Sequence, residues 1–425
     1  MNVGQKLYQL LEELFPILRS ITGNGVRQSL KILQEHVPVE IHEVPSGTKV
    51  FDWTVPEEWN ISEAYIRDED GNLVLDIQQN NLHVVSYSIP VDKWVSLSDL
   101  QEHLHSLPDQ PNAIPYVTSY YKNYWGFCIT HNVREKLKDK KYHVVINSEL
   151  KEGCLTYGEC IIPGKEENKE IFISTYICHP SMANNELSGP VVAASIGKWL
   201  RTAPRRYTYR IIFIPETIGS ITYLSKNLKE LKQKVVAGFN LSCIGDERAY
   251  SYVASRYENT LADQVASNVL SSITKDFIKY SFLERGSDER QYGSPGVDLP
   301  LVTLSKSKFH TYPEYHTSLD NLDFITPQGL QDGYDYVKRC LLALEHNHTY
   351  RTTCLAEPQL GKRGLYPSIG TKHSGTMVET LMDFLAYADG SNTLIEISNI
   401  IGKSVKDLIP IIEKLMNLGL IEIIE

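Results

Sequence analysis

Two apolar, β-branched runs that each stop on a reactive side chain constrain this chain more than anything else in it. Residues 171–177 (IFISTYI) lead into Cys178-His179, and Tyr207–Ile214 (YTYRIIFI) lead into Pro215-Glu216. A helical pattern follows each, over 189–200 and 220–231. Continuous apolar runs are typical of strands buried on both faces, and parallel strands require such helical crossovers. In open α/β sheets ligands bind outside the carboxyl ends of the strands, so His179 and Glu216 are expected on two sides of one crevice.

The same rhythm extends in both directions. Strands are expected near 144–150, Cys154–Ile162, 235–244, 250–254 and 301–304, with helices over 259–277 and Pro327–His346. Strands alternating with helices of this length give an α/β fold with a doubly wound, mostly parallel sheet. Leucines and isoleucines at helical spacing (Leu7, Leu10, Leu11, Leu14, Ile17, Leu18) predict a leading helix, broken at Thr22-Gly23-Asn24-Gly25 before a second one. Residues 45–135 change character, with short alternating runs and turn signals at Pro45-Ser46-Gly47 and Asp70-Gly71. They are expected to form a small β-rich insertion between two pieces of the α/β domain, 1–44 and 136–350. Prolines 358 and 367 around residues 361–367 mark a linker. The remainder, 368–425, carries three helical patterns and a terminal strand, as in a winged-helix-like domain.

Composition mainly excludes. An apolar fraction of 42% with 22% charged residues suits a soluble globular protein in more than one domain. The N-terminal residues 1–23 carry acidic groups and lack the basic start and apolar core of a signal peptide, and no stretch approaches a membrane span. Seven scattered cysteines without CxxC spacing suit reduced thiols in a cytoplasmic protein. Net charge of -10 disfavours non-specific binding to nucleic acid. The C-terminal unit sharpens that point, since residues 371–425 hold four lysines against eight acidic residues. A DNA reader needs a basic footprint, so contact with protein, including homo-oligomerisation through this unit, is the expected role.

Each candidate for chemistry has an ordinary structural account beside it. Asn185 and Glu186, in SMANNELSG after His179, could cap the next helix, or join the imidazole in holding a cation such as zinc. Glu216, on the turn out of an apolar strand, could cap or serve as general base. Asp246 ends another strand and could be a turn residue. Asp288 and Glu289 sit in a Gly- and Pro-flanked loop, and a carboxylate is the natural partner of a substrate α-ammonium group. His316 lies in FHTYPEYHTSLDNLDFI among acidic neighbours that suit the surroundings of a metal-bound imidazole, with Tyr315 adjoining as a substrate contact.

His179 with NNELSG, then PETIGS, SDERQY and YHTSLDNLDF resemble the motif order of the zinc aminopeptidases of the co-catalytic two-metal clan, which also holds the glutaminyl cyclases. RSITGNG, WTVPEEWNI, IPYVTSYYKNYWGFC and HPSMANNELSG resemble a bacterial family of aminopeptidase-like proteins with an inserted β-rich domain and a C-terminal winged helix. That resemblance implies His179 and His316 as metal ligands and Glu216 as base. It implies Asn185 at the bridging aspartate's position and Thr217 at that of a metal-binding glutamate. An amide and a hydroxyl there would under-neutralise two close cations. One or two zinc ions, with Glu186, Asp246 or Asp288 filling in, are therefore the expected cofactor. The expected function is a metal-dependent aminopeptidase or related amide hydrolase acting on a small peptide or amino-containing molecule. The alternative is a catalytically impaired ligand-binding or assembly protein, which the resemblance links to surface-polysaccharide biosynthesis.

Overall fold

The computed structural model describes residues 1–365 and 372–424, with the side chains of 372–376 left aside. Eight strands form the main sheet: β1 (Glu40–Pro45), β2 (Cys154–Ile162), β3 (Glu166–Tyr176), β4 (Tyr207–Ile214), β5 (Val235–Leu241), β6 (Ser251–Val253), β7 (Ile278–Tyr280) and β8 (Leu301–Ser305). Their spatial order is β1-β2-β4-β3-β5-β8-β6-β7. The inner pairs β4–β3, β3–β5 and β5–β8 are parallel, while β1–β2, β2–β4 and β8–β6 are antiparallel. The mostly parallel α/β sheet expected from the alternation is present.

Period-two burial explains why these runs are apolar throughout. Ile171 and Ile173 of β3 join a core shared with α1 (Val3–Leu14), α2 (Asn24–Gln34) and α3 (Ser188–Leu200), whereas Phe172 faces the other side. That second face packs against α4 (Ile218–Lys234), through Ile221 and Leu224, and against the insertion. α5 (Leu261–Ile273) and α6 (Pro327–His346) complete the first face. Because β4 and β5 flank β3 and their connecting helices cover opposite faces, the carboxyl ends of β3 and β4 open together.

The strand expected to begin the α/β domain belongs elsewhere. Lys141–Lys151 pairs with Glu58–Asp68 and Val91–Ser96 in a four-stranded sheet completed by Leu73–Asp76. The small sheet therefore extends past residue 135, because alternation reveals a strand but not its partner. Thr349–Thr352 likewise pairs with Asp389–Thr393 and Ile421–Ile423, adding a strand to the C-terminal unit ahead of residue 368. Three helices, α7 (Lys372–Tyr387), α8 (Leu394–Ile401) and α9 (Val405–Asn417), complete the winged helix. Of the expected linker, Gly361–Arg363 makes a short helical turn, while Pro367 lies outside the described residues. All seven cysteines are free, and among the described residues no helix is long and apolar enough to cross a membrane.

One buried ion pair fastens α2 to the insertion. Arg27 donates to both Glu58 oxygens, which also accept Asn60 Nδ2 at 2.9 Å and Cys154 N at 3.1 Å. Burial would raise the carboxyl's pKa, but these hydrogen bonds outweigh it and bring it down to about 2. Its contribution is thus present above the ordinary carboxylate range and is lost as pH falls toward 2. Glu58→Gln is expected to cost ~2 kcal/mol at pH 7. Denaturant titrations at pH 7 and pH 3 should show that gap narrowing in acid.

Candidate active site

His179 lies three residues past β3, and Glu216 lies two past β4. The His179 ring is held at Nδ1. Nδ1 pairs with Glu186 Oε2 at 2.6 Å, and Nε2 faces Glu216 Oε2 at 3.7 Å. Glu186, fully buried, also accepts the Cys178 backbone N–H, and the Arg19 guanidinium lies 4.0 Å from its other oxygen. Arg19 in turn donates from Nε to the His179 carbonyl at 3.1 Å. A carboxylate on one imidazole nitrogen sets the tautomer and aims the other nitrogen outward. Glu186 orients His179 rather than standing beside it as a second donor. Burial alone would discharge the imidazole, but Cys178 and Glu186 outweigh it and raise its pKa.

His316 faces His179 with ring centroids 5.5 Å apart. Burial and the neighbouring His179 depress its pKa to about 2, leaving a neutral ring. Tyr315 stacks on it at 3.9 Å. The insertion supplies the roof. Tyr116 meets the His179 and His316 rings edge-on at 5.1 and 5.2 Å, and its hydroxyl bonds Tyr120 Oη at 2.9 Å. The Tyr116 N–H donates to the His316 carbonyl, so the roof is tied to the wall it covers.

Four of the eleven described non-glycine residues with positive φ lie around the crevice. Ser181, Thr217, Cys243 and His316 all have positive φ, at 41°, 64°, 51° and 56°. A β-branched residue at such a φ is a marked outlier and persists only where the surroundings hold it. Thr217 is held by Asp288 Oδ1, which accepts its N–H at 2.8 Å, and by Arg290 Nη2 on its hydroxyl. The strained turn presents Glu216 to the crevice with its side chain 21% exposed. Burial raises the Glu216 pKa, against the opposing pull of His179, Ser287 and Arg290.

Several expected members of the site are elsewhere engaged. Asp246 is buried with its oxygens committed to Ser307 N at 2.9 Å, Ser307 Oγ at 2.7 Å, Asn184 Nδ2 at 3.2 Å and Arg248 N at 2.8 Å. It anchors the loop after β8 and does not reach His179. Glu289 accepts Gly286 N, Ser287 N and Thr303 Oγ1, closing its own loop. Asp288 does border Glu216, and burial together with that carboxylate raises its pKa to about 7. Asn185 is present, with Nδ2 donated to Tyr176 Oη at 2.7 Å and Oδ1 buried without a hydrogen-bond partner. Asp288 Oδ2, Arg290 Nε and Arg19 Nη2 are likewise buried and unpartnered around the crevice.

Sequence reasoning missed Arg19, Arg290 and Ser287, whereas the aromatic stretch over residues 116–127 was expected to receive substrate and supplies Tyr116. Asp320, one of the acidic neighbours expected around His316, serves the backbone of another loop. Its carboxylate accepts Asn184 N at 2.6 Å and Asn185 N at 2.9 Å, holding the loop that follows His179. Burial raises its pKa to about 6.

Among the described residues, one atom each from Cys178, His179 and Glu186 converge within 4.8 Å, the one trio of metal-ligating types that does so. Glu186 there is spent on His179 Nδ1 and the Cys178 N–H, with a guanidinium at 4.0 Å, which is poor company for a cation. The His179 Nε2 side fits one better. The His316 ring faces the His179 ring, and the buried Asn185 Oδ1 has no hydrogen-bond partner, a neutral set short of the charge that two ions would need.

In its α/β part, the mostly parallel sheet with a His and a Glu at the ends of adjacent strands has the fold of known aminopeptidases. The chain belongs to the family described as a domain of unknown function, DUF4910, whose profile matches residues 8–347, with a winged helix-turn-helix matched over 348–423. It is 46% identical over 399 residues to a Clostridium acetobutylicum protein, covering 93% of this chain and 91% of that one. That relative is provisionally described as a polysaccharide biosynthesis protein with an aminopeptidase-like domain. A crystal structure of a provisionally assigned peptidase from the same organism superposes with a TM-score of 0.93 at 42% identity, covering 99% of this chain and 96% of that one. The fold is also that of a zinc aminopeptidase from Bacillus subtilis, at TM-score 0.58 and 16% identity over 80% of this chain and 94% of that one.

Proposed function

We propose that this protein is a metal-dependent aminopeptidase or related amide hydrolase, with Glu216 as general base toward the attacking water. The observation that carries the reading is Glu216 held on a strained turn 3.7 Å from His179 Nε2, with His316 opposite. His179 through Nε2 and His316, with Asn185 Oδ1, would hold a single zinc ion. Bound there, zinc would polarise the scissile carbonyl and make a water acidic enough for a carboxylate to deprotonate. Glu186 keeps His179 aimed, Ser287 steadies Glu216, and Glu216, its pKa raised, accepts the proton and returns it to the leaving amine. Tyr116 and Tyr120 narrow access from above.

Purified protein loaded with zinc and dialysed is expected to retain one ion per chain by elemental analysis. Hydrolysis of small amides should stop with a chelator and return with zinc. A specific observation favours a second reading, a ligand-binding protein in surface-polysaccharide biosynthesis. Neutral Asn185 and Thr217 occupy positions where carboxylates would neutralise metal, and Thr217 is already bound by a guanidinium. Absent zinc retention together with no chelator-sensitive hydrolysis would establish that reading instead.

A further inference from the structure

The segment Asp288-Glu289-Arg290 divides its side chains between structure and crevice. Asp288 Oδ1 accepts Thr217 N and Ser220 Oγ, both at 2.8 Å, and so caps the start of α4 from a neighbouring loop. Glu289 is fully buried and spent on its own loop and on Thr303. Glu289 is thus fully engaged, while Asp288 keeps Oδ2 buried without a hydrogen-bond partner. Arg290 turns the other way, half-buried, with Nη2 on the Thr217 hydroxyl and Nε without a partner. Its charge reaches Glu216, Asp288 and Tyr315, yet among the described residues it has no ion pair within 4.0 Å.

Seven of the fifteen arginines meet a carboxylate within that distance, Arg27, Arg206 and Arg210 among them, and of those that do not, Arg290 lies beside Glu216. A guanidinium left unpaired beside the candidate base is a recognition element for an anion, because its planar fork matches carboxylate and phosphate geometry. The rest of the wall agrees. Tyr116 and Tyr315 offer ring faces and edges to an organic body.

We propose that the substrate of this site is an amide bearing an anionic group, carboxylate or phosphate, which Arg290 binds. The inference rests on the amide-hydrolase reading but is tested by binding. Full-length Glu216→Gln protein is titrated calorimetrically with leucinamide, N-acetylleucinamide, glutaramate and N-acetylphosphoethanolamine. At least one of the last two is expected to bind ~10-fold or more tighter than N-acetylleucinamide, as a charge-assisted hydrogen bond to guanidinium allows. Which of the two binds tells carboxylate from phosphate.

Adding Arg290→Met should collapse the discrimination, and Arg290→Lys should keep part of it. Arg290→Met removes the hydrogen bond to the Thr217 hydroxyl but leaves the Asp288 contact on the Thr217 N–H, so the turn is expected to persist, and circular dichroism verifies folding. The proposal is overturned if leucinamide binds as tightly as the anionic probes, if neither anionic probe binds, or if discrimination survives Arg290→Met. Loss of zinc-dependent hydrolysis with anion discrimination intact would instead overturn only the reading of the chemistry.

Discussion

Glu216→Gln is expected to lower the turnover number for amide hydrolysis by ~10²–10⁴-fold, the usual worth of a positioned general base. The substitution keeps the volume and the capacity to hydrogen-bond Ser287, so the strained turn at Thr217 should survive. What it removes is the proton acceptor facing His179 Nε2 at 3.7 Å. Steady-state kinetics should place the loss in the turnover number, with Michaelis constant and melting temperature close to those of the parent. The pH profile offers a second check on the same residue. Burial raises the Glu216 pKa above 4.5, and the base must be ionised to work. Activity of the parent should therefore climb with pH along a limb lying above the ordinary carboxylate range. Full activity in the glutamine variant would remove Glu216 as the base.

Much of this arrangement was legible because the signals were local. Tyr207–Ile214 is buried at every position, and such a strand announces itself as an unbroken apolar run. A polar side chain directly after it stands out, so Glu216 was found, and His179 after β3 for the same reason. Side-chain direction was not legible. Asp246 and Glu186 look alike in sequence as acids near strand ends, yet one is consumed by Ser307 and the other orients His179. The neighbours Asp288, Glu289 and Arg290 point three ways from one short turn, which residue type cannot disclose. Pairing across distance was hidden too. Lys141–Lys151 alternates as any half-buried strand does, and only its partner Glu58–Asp68 assigns it to the small sheet. Tyr116 reaches the histidines from the insertion because its backbone bonds His316, a contact spanning the chain from one domain to another.

Arg19→Met is expected to destabilise the protein by ~3–5 kcal/mol, the cost of stranding a buried charge whose partner is removed. Arg19 has no exposed surface, and burial lowers its pKa to about 10, with Glu186 opposing. It donates to the Leu14 carbonyl at 2.7 Å and the His179 carbonyl at 3.1 Å, so one side chain ties the end of α1 to the loop that carries the candidate ligand. Methionine fills most of the volume, so a cavity is not the main effect. The main effect falls on Glu186, which keeps His179 Nδ1 and the Cys178 N–H but loses its balancing cation. Glu186 should then hold the imidazole less firmly, loosening zinc by ~10–100-fold, as losing an orienting partner does. A double variant separates charge from packing. With Glu186→Gln added, no unpaired carboxylate remains, and chemical denaturation should recover part of the stability lost in Arg19→Met alone. Zinc affinity should stay low in the double variant, because glutamine does not replace the carboxylate that aims His179. If Arg19→Met unfolds within ~1 kcal/mol of the parent, a surface-like value, the buried Arg19–Glu186 pair is not what holds the site. If the double variant is no more stable than the single, the loss lies in the two carbonyl contacts and not in the stranded charge.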